Sequence, residues 1–372
     1  MIKQCVAISL FFFNIIQPQL LIPENNAQLN YTHVLFNWVE DVEASSYLLQ
    51  INSSNTFTSS IVDKMVSSHY SIEKSNLEWD SQYYWRVASV YSDGTQGDWS
   101  LIFSFTIGQD SETFTNDNDP IVVINHSPEL TSDGVVFFGS YINQYSAAID
   151  VDGNEVWNSG SPNSFVYFNH STDGELLGGK IDNSYEYNSS MYGSAIDHDL
   201  NTIFVEDVVS QSIYNDDFIQ HEIIKLPNGN YISLAPDFRN FPVSQKEVGS
   251  WSWESQFSNS ELASFPWMGD QLIEWNPITN EILWSMSTFD IYEIEDFDII
   301  GGTWQTAGET LPVFDWTHVN AVEYNEAQNA IYISSRHLSK ITKIDYVSRQ
   351  VMWTMGFNQA DIFGIENSFS DF

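Results

Sequence analysis

Residues 344–353 read Ile-Asp-Tyr-Val-Ser-Arg-Gln-Val-Met-Trp, in which two short apolar segments flank a polar turn. This pattern predicts a β-hairpin that ends in an aromatic residue. Comparable stretches occur earlier in the chain, at residues 149–157, 196–204 and 273–284. A second hairpin pattern precedes three of these four stretches, at residues 166–177, 221–234 and 319–333. Two hairpins per repeat are typical of the four-stranded blades of a β-propeller, so residues 121–372 are predicted to form such blades.

The stretch before the repeats, residues 22–108, predicts a separate all-β domain. Its apolar and aromatic residues fall in strand-length segments, which are Val34–Trp38, Tyr47–Ile51, Tyr83–Val87 and Phe103–Ile107. About seven strands in roughly 90 residues are typical of a β-sandwich. The residues Phe36-Asn-Trp38, Tyr84-Trp-Arg-Val87 and Trp99-Ser100 resemble a fibronectin type III domain of bacterial extracellular proteins, which implies a spacer or adhesion unit. The polar and acidic residues 109–120 are interpreted as a linker.

The charge balance of the chain limits its partners. The sequence has 12 Lys and Arg residues against 50 Asp and Glu residues, which gives a formal net charge of −38. Such a surface repels phosphate backbones and anionic lipids, so nucleic-acid binding and docking on an acidic membrane are not expected. Aromatic residues make up 15% of the chain, which is enough for a packed core and argues against disorder.

The amino terminus has the pattern of a secretory signal peptide, predicted to span residues 1–21. A short basic start is followed by the mostly apolar segment Cys5–Ile16, which is too short to span a bilayer. A buried strand of the first domain is the alternative. Cys5 is the single cysteine of the sequence, so a mature chain would have no disulfide. We therefore expect a secreted or periplasmic protein without membrane insertion of the mature chain, with cell-surface association through the first domain as a further option.

Four residues of the repeat region are candidates for chemistry. His221 and His318 occupy the same place in two copies of the second hairpin pattern, immediately before its first strand. The inner strands of a propeller begin at the central channel, so both imidazoles are expected there. Asn320 follows His318 by two positions, which places both on one side of a strand. Arg336 lies just past this hairpin, and either an anionic ligand or an internal Asp or Glu could be the partner of its charge.

The same residues carry a resemblance to a known family. The segments that resemble the arylsulfate sulfotransferase family are Asp315-Trp-Thr-His-Val-Asn-Ala-Val-Glu-Tyr324, Ile331-Tyr-Ile-Ser-Ser-Arg-His337 and His221-Glu-Ile-Ile-Lys-Leu-Pro-Asn-Gly-Asn230. The resemblance implies a six-bladed, periplasmic or secreted propeller that moves sulfuryl from a phenolic sulfate ester to a phenol without a nucleotide donor. No cofactor and no metal are expected. A channel histidine of the family is transiently sulfurylated, and by resemblance His221, His318, Asn320 and Arg336 match its sulfate-binding and transition-state positions.

The sequence departs from the family at one point. In the family the sulfurylated histidine lies in a further blade, whereas no histidine follows His337 in this sequence. We therefore expect a fragment, with an incomplete propeller that lacks its nucleophilic histidine and is inactive in the full reaction as it stands. The alternatives are a non-catalytic secreted propeller that binds ligands or partners, and a different propeller enzyme, a lyase or hydrolase that uses Asp, Glu or calcium.

Two acidic motifs have competing interpretations. Asp197-His-Asp199 could hold a metal, and Asp150-Val-Asp-Gly-Asn154 is similar to a calcium loop but lacks the glutamate at its end. Both motifs lie in the turns of recurring hairpins, so tight turns are the favoured interpretation.

Overall fold

The computed structural model describes residues 17–110, 127, 130, 132, 134–140, 145–160, 164–182, 190–205, 220–242, 264–294 and 314–356. Within these ranges the chain is all-β, with strands joined by turns and by short 3-10 helices such as Thr288–Asp290 and Glu326–Gln328. No helix in this part of the chain is long and apolar enough to cross a membrane. The chain divides into two compact units, the first made of residues 1–136 and 147–160, the second of residues 137–146 and 161–372.

Residues 20–107 of the first unit form two β-sheets that share one core. Its strands are β1 (Leu20–Ile22), β2 (Ala27–Leu29), β3 (Val34–Trp38), β4 (Ala44–Asn52), β5 (Val62–Val66), β6 (Tyr70–Glu73), β7 (Ser81–Tyr91), β8 (Gln96–Trp99) and β9 (Phe103–Ile107). One sheet has the order β1-β3-β6 and the other the order β2-β9-β7-β4-β5, with β8 paired to β7. Two of the strands predicted from the sequence coincide with β3 and β9, and the other two lie inside β4 and β7. Residues 1–16 of the predicted signal peptide lie outside the described residues.

Aromatic side chains fill the space between these two sheets. Phe36 of β3 and Trp85 of β7 are fully buried and meet edge to face, with ring centroids 5.1 Å apart. Phe105 of β9 packs against Phe36 at 5.8 Å. Buried and less buried residues alternate along β3, which is why its large apolar side chains reach one face of the sheet. Contacts of this geometry between large rings dominate the stability of a small β core.

The hairpin of β11 (Tyr145–Ile149) and β12 (Glu155–Asn158), which follows β10 (Val136–Ser140), differs in placement from the sequence analysis. The repeat pattern put residues 149–157 in the second domain, whereas in the structure residues 147–160 belong to the first compact unit. The indole N–H of Trp79 donates to the carbonyl oxygen of Glu155 at 3.1 Å, and the N–H of Asn158 donates to the carbonyl of Asn30 at 3.0 Å. Those tertiary hydrogen bonds decide the placement, and a repeat pattern carries no information about them.

The two acidic motifs form tight hairpin turns. In the first turn Oδ1 of Asp150 accepts the N–H groups of Asp152 and Asn154, both at 2.9 Å. In the second turn Asp197 accepts the equivalent N–H groups, two and four residues further on, at 2.9 and 2.8 Å. Because each aspartate closes its own turn, the structure favours the turn interpretation for both motifs.

In its described part the second unit contains three sheets, each built on four antiparallel strands, and the second of them has a fifth, parallel strand. The first sheet consists of β13 (Phe165–His170), β14 (Leu176–Asp182), β15 (Ser190–Ile196) and β16 (Thr202–Val205). The second consists of β17 (Gln220–Lys225), β18 (Tyr231–Phe241), β19 (Phe265–Trp275) and β20 (Ile282–Ser287), and β21 (Phe314–Asp315) pairs in parallel with β19. The third consists of β22 (Val319–Asn325), β23 (Ala330–Ser335), β24 (Lys340–Asp345) and β25 (Val351–Gly356). Each sheet joins one hairpin of each predicted pattern, as expected for propeller blades.

The three sheets pack against one another through apolar faces. The first strands of the sheets are neighbours, with β13 beside β17 and β17 beside β22. A cluster of buried aliphatic residues fills the space between the second and third sheets, and it is made of Ile224, Leu226, Ile232, Leu234, Leu272, Val319, Val322, Ile331, Ile333 and Ile344. Because β13, β17 and β22 lie side by side, the residues at their starts are brought towards one place.

A buried carboxylate ties the second sheet to the third. Glu274 of β19 is 2% exposed and is the acceptor on which four side chains converge. Asn230 and Tyr346 donate to its Oε1, both at 2.8 Å, and Trp284 donates to Oε2. The guanidinium of Arg349 lies 3.5 Å from Oε2. A carboxylate this deeply buried is tolerated because both of its oxygens have hydrogen-bond or ion-pair partners.

Candidate functional site

The two candidate histidines share an unusual backbone conformation at the start of two neighbouring inner strands. His221 lies at the start of β17 with a φ of +62°, and His318 directly precedes β22 with a φ of +44°. Such left-handed values are uncommon for residues other than glycine. The ladder of β17 shifts register between Gln220 and Ile223, and that of β22 shifts between Val319 and Ala321. Bulges of this kind redirect side chains next to binding sites.

The side chains of His221, His318 and Arg336 meet at this end of the inner strands. The imidazole rings of His221 and His318 have centroids 5.0 Å apart. Nη1 of Arg336 lies 3.5 Å from Nε2 of His318, and the N–H of Arg336 donates to the carbonyl oxygen of His318 at 3.1 Å. Three of the four residues predicted from the sequence are therefore brought together, from two neighbouring sheets.

Asn320 and Arg336 need further comment. Asn320 is exposed and lies inside the irregular part of β22, so strict alternation does not place it beside His318. Its role in the site stays a prediction. Arg336 is not part of an apolar strand; its side chain is exposed, and it lies in the turn after β23. No Asp or Glu among the residues that the structure describes forms a salt bridge with it, and an external anion as its partner stays a prediction.

Asp315 holds both histidines of the Asp315–His337 segment, and the sequence analysis missed it. Its Oδ2 lies 2.5 Å from Nδ1 of His318, and its main-chain oxygen accepts from Nδ1 of His337 at 2.7 Å. His337 is 4% exposed and stacks on His318 with ring centroids 4.5 Å apart. The spacing of three residues between Asp315 and His318 was visible in the sequence and is the signal that could have pointed to this pair.

Asp270 of β19 fixes the backbone on either side of His318. Its Oδ2 accepts from the hydroxyl of Thr317 at 2.6 Å and from the N–H of Val319 at 2.7 Å. Its own N–H donates to Thr288 at 2.9 Å. Asp270 is 2% exposed, and burial raises its pKa to about 7. A left-handed residue between two anchored neighbours cannot relax, so this network maintains the conformation of His318.

The three imidazoles differ in their affinity for a proton. Burial opposes the charge of His318, but the hydrogen bond and the negative charge of Asp315, with a contribution from Asp270, outweigh burial and Arg336 and raise its pKa. Burial lowers the pKa of His221, and the positive charges of His318 and Arg336 lower it further. Burial likewise lowers the pKa of His337. His318 is therefore the imidazole of this cluster that most readily carries a positive charge.

A metal could in principle use part of this cluster. Asp315, His318 and His337 place one ligand atom each within 4.8 Å of one another. Two ligands of a tetrahedral zinc ion lie about 3.3 Å apart, because each bond to the metal is about 2.0–2.1 Å long. The short contact between Oδ2 of Asp315 and Nδ1 of His318 is closer than two zinc ligands would be and joins the two groups directly. As placed, these groups form a hydrogen-bonded cluster, and a metal would require them to move apart.

A second polar group of residues lies further along the same inner strands. Burial raises the pKa of Glu222 on β17 to about 7, and the charge of Glu323 on β22 adds to this shift, while a hydrogen bond from Asn169 on β13 opposes it. Oε1 of Glu222 is buried without a hydrogen-bond partner among the described residues. Asn169 and Glu323 also line a cavity of about 650 Å³ at the opposite ends of these strands from His221 and His318.

A comparison with protein families gives a match that covers part of the site but not His221. Residues 253–363 match the model of the arylsulfotransferase (ASST) family. The matched stretch contains Asp315, His318, Asn320 and Arg336, and it is shorter than the range over which the sequence resembles that family. No curated protein matches the chain. The resemblance of the first domain to fibronectin type III and the expected truncation stay predictions.

Solved structures give weaker similarities. A fibronectin-type-III-like (Fn3-like) protein from Clostridium thermocellum matches with 15% identity and a TM-score of 0.21, over 26% of this chain and 95% of that chain. A β-1,2-glucanase from Parabacteroides distasonis matches with 16% identity and a TM-score of 0.21, over 26% of this chain and 13% of that chain. Hydrazine synthase from Kuenenia stuttgartiensis matches with 10% identity and a TM-score of 0.30, over 89% of this chain and 78% of that chain. None of these TM-scores reaches 0.5, so none supports an assignment of function.

Proposed function

We propose that this chain carries the oxyanion-binding part of an aryl-sulfate sulfotransferase, which takes sulfuryl from a phenolic sulfate ester and passes it to a phenol. The observation that carries the proposal is the convergence of His221, His318 and Arg336 from two neighbouring sheets. The match of residues 253–363 to the arylsulfotransferase model supports it. Small-molecule sulfate esters and phenols are the partners that this function requires.

The local charge of the cluster suits an anionic donor although the whole chain has a formal net charge of −38. The raised pKa of His318 favours an imidazolium, and the guanidinium of Arg336 lies 3.5 Å from it. Two cations at this distance repel each other, and an oxyanion placed between them removes that repulsion. Binding of a sulfate ester would therefore stabilise the protonated form of His318.

The residue types suit sulfuryl transfer. Negative charge spreads over the equatorial oxygens in the transition state, as it does in phosphoryl transfer. Arg336 offers a fork of N–H donors to those oxygens, and Asn320 has the same role by resemblance. Nε2–H of His318 can donate its proton to the ester oxygen that leaves as a phenol. The group that accepts the sulfuryl is, in this proposal, a further channel histidine, which would give a sulfohistidine and ping-pong kinetics.

Binding of para-nitrophenyl sulfate tests the oxyanion site. Arg336→Ala should weaken binding at least about tenfold in isothermal titration calorimetry, because hydrogen bonds to a charged group contribute about 1.5–3 kcal/mol. Lys343→Ala is the matched control, since its ammonium is bonded to Gln328 on the third sheet, away from the histidines. If Arg336→Ala binds as tightly as Lys343→Ala, the assignment of Arg336 is wrong.

The proposed sulfuryl transfer has its own test, made with a protein that includes the further channel histidine. The assay measures the release of nitrophenolate from para-nitrophenyl sulfate when a phenol is added. Transfer that depends on the phenol and on Arg336 is expected. Tight binding of a ligand without any transfer would favour the alternative of a non-catalytic binding propeller.

Export belongs to the same proposal. We infer from the apolar segment Cys5–Ile16 that the chain is secreted or periplasmic, with the first domain as a spacer that could associate with the cell surface. Cell fractionation should find the protein outside the cytoplasm. A cytoplasmic protein that retains residues 1–21 would contradict this part.

A further inference from the structure

Asp315 is built into a rigid part of the second sheet. It ends β21, which pairs in parallel with β19 so that Asp315 lies opposite Met268. The next residue, Trp316, is fully buried, and its N–H donates to the carbonyl of Met268 at 2.8 Å. Its ring stacks on Phe289 with centroids 4.8 Å apart. The carboxylate therefore projects from a backbone that has little freedom to move.

Two histidines depend on Asp315 through two different acceptors. The carboxylate oxygen Oδ2 accepts from Nδ1 of His318, and the main-chain oxygen accepts from Nδ1 of His337. Nδ1 must carry a hydrogen in both rings, because a carboxylate and a carbonyl can only accept. Nε2 of His318 then faces Arg336, at 3.5 Å, and is the ring nitrogen available to a ligand. His337 lies beneath His318 as a stacked, buried platform.

We propose that Asp315 is a positioning residue: its carboxylate holds Nδ1–H of His318, so that Nε2 faces the oxyanion beside Arg336 and bears the second proton of the imidazolium. This inference rests on the proposed function and adds a residue to it. The other oxygen of Asp315, Oδ1, is buried without a hydrogen-bond partner among the described residues. Nδ1 of His337 lies 3.9 Å from this oxygen, too far for a hydrogen bond, so among the described residues the short side-chain hydrogen bond of Asp315 is the one to His318.

Five charged or titratable groups surround His318, and they come from β17, β19, β21 and the turn after β23. Asp315 and Asp270 favour its charged form, and Arg336 disfavours it. The ring of His221 faces His318 from the neighbouring strand, and the ring of His337 stacks on it. Burial lowers the pKa of both of these histidines, so neither readily carries a charge. Loss of the Asp315 charge therefore removes the closest group that favours a protonated His318.

Asp315→Asn tests the role, since it removes the charge but keeps the size of the side chain. At pH 7 the variant should bind para-nitrophenyl sulfate about tenfold more weakly than the unaltered chain, which is the loss of one charge-assisted hydrogen bond. At pH 5 the difference should be smaller than at pH 7, because a lower pH favours a protonated His318 in the variant as well. Asp315→Glu should restore part of the affinity at pH 7. Asp290→Asn is the control, as it removes one exposed carboxylate that pairs with Arg239.

A structural role would give a different result, namely an equal loss of affinity for Asp315→Asn at both pH values. That outcome would overturn the proposal. Nitrogen-15 NMR of the histidine rings in the unaltered chain is an independent measurement, and it does not require the variant to fold. At a pH above the pKa of His318, a neutral ring protonated on Nδ1 is expected, and a neutral ring protonated on Nε2 instead would also overturn the proposal. If no aryl sulfate binds at any pH, the proposed function fails, while the NMR result still decides the role of Asp315.

Discussion

Replacement of Glu222 by Gln should make the stability of the second unit less dependent on pH. Glu222 lies on the inner strand β17, its Oε1 has no partner among the described residues, and Glu323 adds negative charge from the neighbouring strand. Burial raises its pKa from 4.5 to about 7. A neutral amide of the same shape avoids the cost of the buried charge.

The sign and size of the effect follow from linkage. Between pH 4.5 and pH 7 the folded chain binds a proton at Glu222 that the unfolded chain has lost, so this residue lowers stability as the pH rises through that window. Above pH 7 the cost is constant. A shift of this size corresponds to at most roughly 3 kcal/mol, at about 1.36 kcal/mol for each pKa unit. Glu222→Gln should therefore gain up to that amount relative to the unaltered chain between pH 4.5 and pH 8.

Urea unfolding at several pH values, followed by pulsed hydrogen exchange and mass spectrometry, measures this gain. Peptides from β17 and β22 report the second unit separately from the first. Glu326→Gln is the matched control, because it removes an exposed carboxylate at the rim of the cavity near the same strands. If Glu222→Gln changes stability equally at pH 4.5 and pH 8, the reasoning about its buried charge is refuted.

Two further predictions concern the packing of the second unit. Glu274→Ala removes the acceptor on which four side chains converge and should lower the free energy of unfolding by about 2–4 kcal/mol in urea titrations, whereas Glu281→Ala, at an exposed turn, should change it by less than about 0.5 kcal/mol. Equal effects would contradict the pairing described for Glu274. Gly178→Ala would bring a Cβ against the carbonyl oxygen of Val166 in the adjacent strand and should cost about 1–3 kcal/mol, measured as a lowered thermal midpoint. Gly134→Ala, which meets no atom within 4 Å, should be tolerated, and a comparable loss there would show that the close approach at Gly178 is not the cause.

The sequence predicts the strands well because their signal is local. Alternating apolar residues and turn residues are enough to place β3, β9 and the hairpins of the second unit. The unit to which a hairpin belongs is decided by tertiary contacts, such as the hydrogen bond of Trp79 to Glu155, and these leave no periodic pattern. The repeat pattern put residues 149–157 with the second domain, whereas the contacts of the folded chain group residues 147–160 with the first unit.

The sequence predicts only the part of the candidate site that leaves a local pattern. The equivalent positions of His221 and His318 in two hairpins were visible in the sequence, and the structure brings them within 5.0 Å of each other. The role of Asp315 was not visible, because β21 is only two residues long and its pairing with β19 is a long-range contact. The three imidazoles differ in pKa because of their burial and their charged neighbours, and both depend on long-range packing that the sequence does not show.

The left-handed backbone at His221 has a consequence for protein engineering. Glycine adopts this conformation without strain, whereas a residue with a Cβ gives up roughly 1 kcal/mol there. Libraries screened only for resistance to heat should therefore enrich glycine at this position and discard the imidazole. If thermostable variants repeatedly lose the histidine at this position, that loss would agree with the predicted binding role of His221 and would not show that the residue is dispensable.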